Sequence, residues 1–288
     1  MKVRCRSWRK ITVTLPRELE EAASARLIEL GAAGVWVEEI RLLIRLSVFF
    51  PNHALGKLEE IRGHLTRLAP DGPVHIETAQ VQEQKWQTSW QSRSVPTQRI
   101  GKRLIIIPPW NRRGVKSSGR RIIYISPGMA FGTGTHATTR SCLTLLEHAF
   151  GARPIASLLD IGTGSGILAI AAAKLGARRV IAVEVDPDAL SAAKRNVKLN
   201  RVENRITLRK SMPHRRTFPC VVANLTGPIL IELSSAIKKA VRSGGRLILS
   251  GLMNSEEEDV LRAYRGSFTI LKRKRPREWS AFLLEKQG

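Results

Sequence analysis

In this 288-residue chain the residues best suited to chemistry cluster after position 125. Leu158-Leu-Asp160 runs into Gly162-Thr-Gly164-Ser-Gly166 and then into Ile167-Leu-Ala-Ile-Ala-Ala-Ala-Lys174. That is strand, glycine loop, helix. Glycine leaves room for a ligand to approach backbone N–H groups at a helix N-terminus. A dinucleotide fingerprint spaces its glycines G-x-G-x-x-G to seat a pyrophosphate. Counted from Gly162 and Gly164, its last glycine would fall on Ile167. The Asp-x-Gly-x-Gly-x-Gly form suits a smaller anion, such as the carboxylate of a methionine moiety. Asp160, at the strand end, is then placed to meet an amino group of the same ligand. Glu184 stands 22 residues after Gly162, at the end of the next expected strand, where a carboxylate can accept bonds from both ribose hydroxyls. Asp186-Pro187 reads as the cap and first residue of the following helix.

Two further segments bear on an acceptor. Val221-Val-Ala-Asn224-Leu-Thr-Gly-Pro228 ends a fourth expected strand, and Asn224 offers a carboxamide to orient an amine. Enzymes that methylate base amines carry Asn-Pro-Pro-Tyr there, with an aromatic ring to stack on a flipped base; no such ring follows Asn224. Pro127-Gly-Met-Ala-Phe-Gly-Thr-Gly-Thr-His-Ala-Thr-Thr139 interleaves glycines with threonines just before the first strand of this domain, as a lid would. His136 is the one candidate base nearby, and a lone histidine is more often structural.

The elements that must position these groups follow from periodicity. From residue 157 on, strands are expected near 157–161, 180–185, 205–209, 220–224 and 246–250. Helices near 167–175, 189–199, 229–241 and 256–264 lie between most of them, and two strands, 268–273 and 279–285, follow. Such alternation predicts a parallel sheet covered on both faces. Glycine loop, acidic partner and frame together point to an S-adenosylmethionine-dependent methyltransferase. The first part reads strand-helix-strand-strand-helix-strand: alternation of Ile11, Val13 and Leu15, a helical face over 19–30, strands near 35–39 and 42–49, a helix near 54–68 and a strand near 74–79. That order is a small ferredoxin-like sandwich without a catalytic cluster. The expected fold is therefore α/β: a class I, Rossmann-like seven-stranded domain over 100–288, preceded by an α+β recognition domain over 1–80. The linker over 81–99 holds Glu83, Trp86 and Trp90, its two tryptophans four residues apart on one helical face.

Charge and cysteines bound the setting. Forty-eight Lys and Arg stand against 24 Asp and Glu, a net charge of +24, which suggests a polyanionic partner such as rRNA phosphates or else serves solubility. From Gln84 to Leu146 there is no Asp or Glu but eleven Lys or Arg. Lys102, Arg103, Arg112, Arg113, Lys116, Arg120 and Arg121 fall around an expected basic loop over 111–119, between strands 104–107 and 122–125. Cys5, Cys142 and Cys220 have no CxxC spacing, so no metal site and a reduced cytosolic protein are expected. No apolar run reaches the ~18–20 residues of a membrane span, and the basic N-terminus lacks a signal-peptide core.

The chain resembles the methyltransferases of ribosomal protein L-eleven of the large subunit. The residues that carry the resemblance are Gly128-Met-Ala-Phe-Gly-Thr-Gly-Thr-His136 with Thr138-Thr139, Asp160-Ile-Gly-Thr-Gly-Ser-Gly-Ile-Leu-Ala-Ile-Ala-Ala172, Lys174-Leu-Gly-Ala177, Ala223-Asn224 and the Glu83…Trp86…Trp90 linker. The resemblance implies a cytoplasmic enzyme that methylates lysines and the N-terminal amine of that protein, free or in the ribosome. It implies a gripping N-terminal domain and donor ligands at Thr139, Gly162, Glu184 and Asn224. Glu184 stands where the family has Asp, Ala137 where it has Pro and Thr163 where Cys is common; each keeps the needed group. The segment after Asn224 is looser than the family's, and +24 contrasts with the acidic members suited to a basic substrate. A monomer is expected. An RNA methyltransferase using the same donor, or an assembly factor that only senses it, are the competing readings.

Overall fold

The computed structural model describes residues 7–32, 34–40, 43–51, 58–68, 75–82, 97–111, 115, 117–126, 131–214 and 217–288. Cys5, Glu83, Trp86, Trp90, Arg112, Arg113, Lys116 and the segment 127–130 lie outside the described residues, as do the expectations that fall on them. The chain divides into two compact units, Met1–Ser94 and Val95–Gly288.

In the first unit, strands β1 (Ser7–Pro16), β2 (Gly34–Ile40), β3 (Leu43–Pro51) and β4 (His75–Gln82) form a sheet in the order β2-β3-β1-β4, and every pairing is antiparallel. Side chains alternate across a strand, so Ile11, Val13 and Leu15 share one face with Ile44, Leu46, Val48 and Phe50 of β3. Helices α1 (Glu20–Glu29) and α2 (Leu58–Leu68) close that face with Ala23, Leu27, Ile61 and Leu65. This is the ferredoxin-like order read from the sequence.

The second unit is built on seven strands. Those are β8 (Ser157–Ile161), β9 (Arg179–Val183), β10 (Ile206–Arg209), β11 (Phe218–Asn224), β12 (Val241–Met253), β13 (Phe268–Lys274) and β14 (Trp279–Lys286), in the order β10-β9-β8-β11-β12-β14-β13. The first five run parallel, and β14 inserts antiparallel between β12 and β13. Leu158, Val180 and Val222 point into one core, with helices α3 (Ala137–Ala152), α4 (Ile167–Leu175) and α5 (Pro187–Leu199). Leu159, Ile181 and Val221 point into the other, with α6 (Gly227–Glu232), α7 (Ser234–Ala240) and α8 (Glu257–Tyr264). Burial on both faces explains why these strands read as nearly unbroken apolar runs. The single helix expected over 229–241 is two short ones, because Leu233 ends the first with ψ at 0°.

A separate three-stranded sheet holds β5 (Gln98–Ile100), β6 (Leu104–Ile107) and β7 (Arg121–Tyr124). The basic loop expected over 111–119 joins the last two strands, which run parallel, so the connection between them is a crossover. Asn196 and Asn200 of the α5 region bond the backbone of Ser126 and Tyr124, which ties this sheet to the larger one.

Candidate functional site

The chain leaves β8 toward β9 on one side, and β11 toward β12 on the other. The crevice at the carboxyl ends of β8 and β11 is where ligands bind in sheets of this kind. Asp160 and Asn224, from widely separated sequence positions, both sit at this edge.

Asp160 is fully buried. Its Oδ2 accepts from the Thr163 hydroxyl at 2.5 Å and from the backbone N–H of Ala169 at 3.1 Å, so it caps the first turn of α4 from beneath the glycine loop. Its Oδ1 is buried without a partner. Burial pushes this carboxyl up to about 7, with Glu184 adding to the rise; Thr163 and Ala169 oppose it.

Backbone freedom shapes the glycine loop. Gly162 and Gly164 lie at φ +70° and +54°. A Cβ at Gly162 would stand 2.4 Å from Leu225 Cδ2, and one at Gly164 would stand 2.6 Å from the Phe131 carbonyl oxygen. The sequence argued that the loop bares N–H groups to an anion. The structure gives them protein partners: Gly162 and Thr163 donate to Val183, Ser165 to Phe131 and Gly166 to Thr163. The Gly164 N–H donates to Glu184 Oε2 at 2.9 Å. Glycine is therefore required here for close approach of chain to chain.

Glu184 follows β9 at the same edge and is partly exposed. Its other oxygen accepts from the N–H of Asp186 at 3.0 Å. Each carboxylate oxygen keeps spare acceptor capacity for a hydroxyl. Asp186 caps α5 through the N–H of Asp188, with Pro187 at the first helical position, as the sequence indicated.

The segment Phe131–Thr135 lies against the loop. Phe131 takes the N–H of Ser165 at 2.9 Å, and Gly132 takes its hydroxyl at 2.5 Å. His136 caps α3: its Nδ1 accepts from the N–H of Thr138 and pairs with the Thr138 hydroxyl. Its ring meets Phe131 and Trp279 edge to face, at centroid distances of 5.4 and 5.0 Å. Burial lowers its pKa to about 4, although Glu278 opposes this. At neutral pH the ring is uncharged with Nδ1 occupied, which suits a structural part and not a general base. Thr139, one residue beyond Thr138, is buried, and its Oγ1 has no partner. Asn224 Oδ1, at the tip of β11, likewise has none.

Buried polar atoms without partners are rare in proteins. Three of those among the described residues are Thr139 Oγ1, Asp160 Oδ1 and Asn224 Oδ1. Sequence reasoning had already chosen these residues for a donor ligand, and their spare acceptors suit one with an ammonium group and hydroxyls. Sequence reasoning missed Trp279 and Leu225. Trp279 is 143 positions from His136, and nothing local marks it. Cys142 and Cys220 are buried and unpaired, with thiols pushed well above their usual range by burial. Among the described residues no group of His, Cys, Asp or Glu is placed to hold a metal.

A family profile described as ribosomal protein L11 methyltransferase (PrmA) matches residues 7–287. A relative of that name from Thermoanaerobacter pseudethanolicus is 31% identical, covering 97% of this chain and 99% of its own. Another, from Pelobacter propionicus, is 37% identical over 89% of each. A crystal structure of a ribosomal protein L11 methylase from Lactobacillus delbrueckii subsp. bulgaricus aligns with a TM-score of 0.61 at 31% identity, covering 67% of this chain and 99% of that one.

Proposed function

From the premise that this chain belongs to the ribosomal protein L11 methyltransferase family, we propose that it transfers methyl groups from S-adenosylmethionine to amino groups, lysine side chains and the N-terminal amine, of that ribosomal protein. The observation that carries the site assignment is that Thr139, Asp160 and Asn224, the residues expected to face the donor, each keep a buried polar oxygen without a partner. Bound there, S-adenosylmethionine supplies a methyl already activated on a sulfonium.

Every other role falls to the chain. Asp160 Oδ1 would hold the donor's ammonium, Glu184 its ribose hydroxyls and Thr139 a further polar group, while Gly162, Gly164 and Gly166 let the loop pack closely on Leu225, Phe131 and Ala193. Asn224 Oδ1 accepts a hydrogen bond from the acceptor nitrogen and turns its lone pair toward the donor, an orienting task worth several kcal/mol in favourable cases. The acceptor must arrive as a neutral amine. With His136 occupied, an acceptor amine placed against apolar side chains would be favoured in its uncharged form, because burial penalises the ammonium.

The first unit serves to recognise the substrate, the enzyme works as a cytoplasmic monomer, and rRNA phosphates are secondary contacts. Among the described residues no helix is long and apolar enough to cross a membrane. The test offers labelled donor with purified ribosomal proteins and with rRNA in separate reactions. Label in the ribosomal protein is expected; label in rRNA alone would replace this reading with RNA methylation.

A further inference from the structure

The parallel sheet has a second edge, at the amino ends of its strands, opposite the donor crevice. Cations from four places in the sequence gather there. Arg178 and Arg179 lead into β9, Arg201 and Arg205 lie between α5 and β10, Lys174 ends α4 and Arg121 opens β7. The backbone N–H of Val180 donates to the carbonyl of Arg205, which joins the segment of Arg178 and Arg179 to that of Arg201 and Arg205, and α4 packs against β7, which brings Lys174 beside Arg121. Arg205 also donates to the carbonyl of Ala173 at 3.2 Å, at the negative end of α4. All but Lys174 are exposed. None of the six is in a salt bridge with a carboxylate among the described residues. Glu203 is the one acidic residue in the connection between α5 and β10. Burial, then Arg205, Arg121 and Arg201, hold the Lys174 ammonium below its usual range. Like charges so placed repel, and a bound anion relieves them.

We propose that this edge is a docking surface for the phosphate backbone of double-stranded RNA. Five of the six cations are arginines, whose forked guanidinium suits phosphate better than an ammonium does. They are spread across several elements, as successive phosphates require and a single small anion does not. None of the large hydrophobic side chains exposed among the described residues, such as Phe131, Val185 or Leu271, belongs to these segments. Stacking on bases or insertion into a membrane would need such groups, so the contact is with backbone alone. A surface opposite the crevice lets the enzyme hold RNA without obstructing the acceptor. The choice of RNA over DNA rests on the ribosomal reading above.

The test uses the full chain and a labelled RNA duplex, a DNA duplex of the same sequence, a single-stranded RNA and anionic phospholipid vesicles, each titrated over a range of salt. Six contacts predict a slope of log affinity against log salt of about −5. The variant R178Q/R179Q/R201Q should lower the steepness by about 3 units. The control K239Q/R265Q/K272Q, from α7, the end of α8 and β13, should leave it unchanged. Methylation of free ribosomal protein should stay within about twofold, since none of these residues touches the crevice. Equal losses from the two variants, an unaltered slope, or edge-dependent binding only to vesicles, single strands or DNA would overturn the proposal. If the parent chain fails to methylate the ribosomal protein, the function above fails instead, whichever way the slopes fall.

Discussion

Asp160 has one carboxylate oxygen committed to Thr163 and Ala169 and one without a partner, and in the proposed role this asymmetry would make donor binding sensitive to pH. Its pKa in the folded chain is raised to about 7 from an ordinary value near 4. The contribution to stability is therefore fully present below about 4 and is lost as pH rises through 7. An ammonium on Oδ1 reverses the preference. Donor affinity, measured by titration calorimetry, should rise about tenfold per pH unit up to 7 and then level off. Asp160→Asn should flatten that profile. Asn224→Ala should lower turnover by about 10²-fold with donor affinity changed far less, since its larger task is the acceptor. Full turnover in that variant would remove it from the mechanism. The placement of Asp160 and Asn224 at the strand ends was legible because a strand-loop-helix pattern tells which side chains emerge there. The aromatic wall was not legible: Phe131, His136 and Trp279 meet only through tertiary packing.

At the scale of elements, the glycine loop and the segment Phe131–Thr135 form one interlocked piece. The loop's conformation depends on a carbonyl 30 or more residues earlier, which periodicity and spacing do not report. Gly164→Ala would press a methyl into that carbonyl at 2.6 Å. The strain of about 1–3 kcal/mol should appear as a donor affinity weakened roughly 5- to 150-fold. Gly176→Ala is the contrast. It too lies at positive φ, +125°, but a Cβ there meets nothing within 4 Å, so stability should fall by about 1 kcal/mol with donor affinity intact. The paired isotherms and denaturation curves separate the two. Strand and helix cores were readable because burial on one or both faces writes itself into period and composition. Their ends, the split of α6 from α7 and the parallel run of β6 and β7 were not, since those depend on single backbone angles and on partners distant in sequence.

The whole molecule carries one core around Ile11, Leu27 and Leu46 in Met1–Ser94, and two others on the faces of the large sheet. Scanning calorimetry should resolve two transitions. S-adenosylmethionine at 100 times its Kd should stabilise one of them by about 2.7 kcal/mol and leave the other in place. A single transition that shifts as a unit would mean that the two units unfold together. The order β12-β14-β13 bears on how this enzyme is born. Chains emerge from the ribosome N-terminal end first. Every residue chosen for the donor is exported before β14, yet the outer flank of β12 stays open until β14 arrives with Trp279. A nascent chain thus holds a bare sheet edge, a liability for aggregation, while its substrate is being made by the same machinery. Pairing with β14 both covers that edge and brings Trp279 against His136.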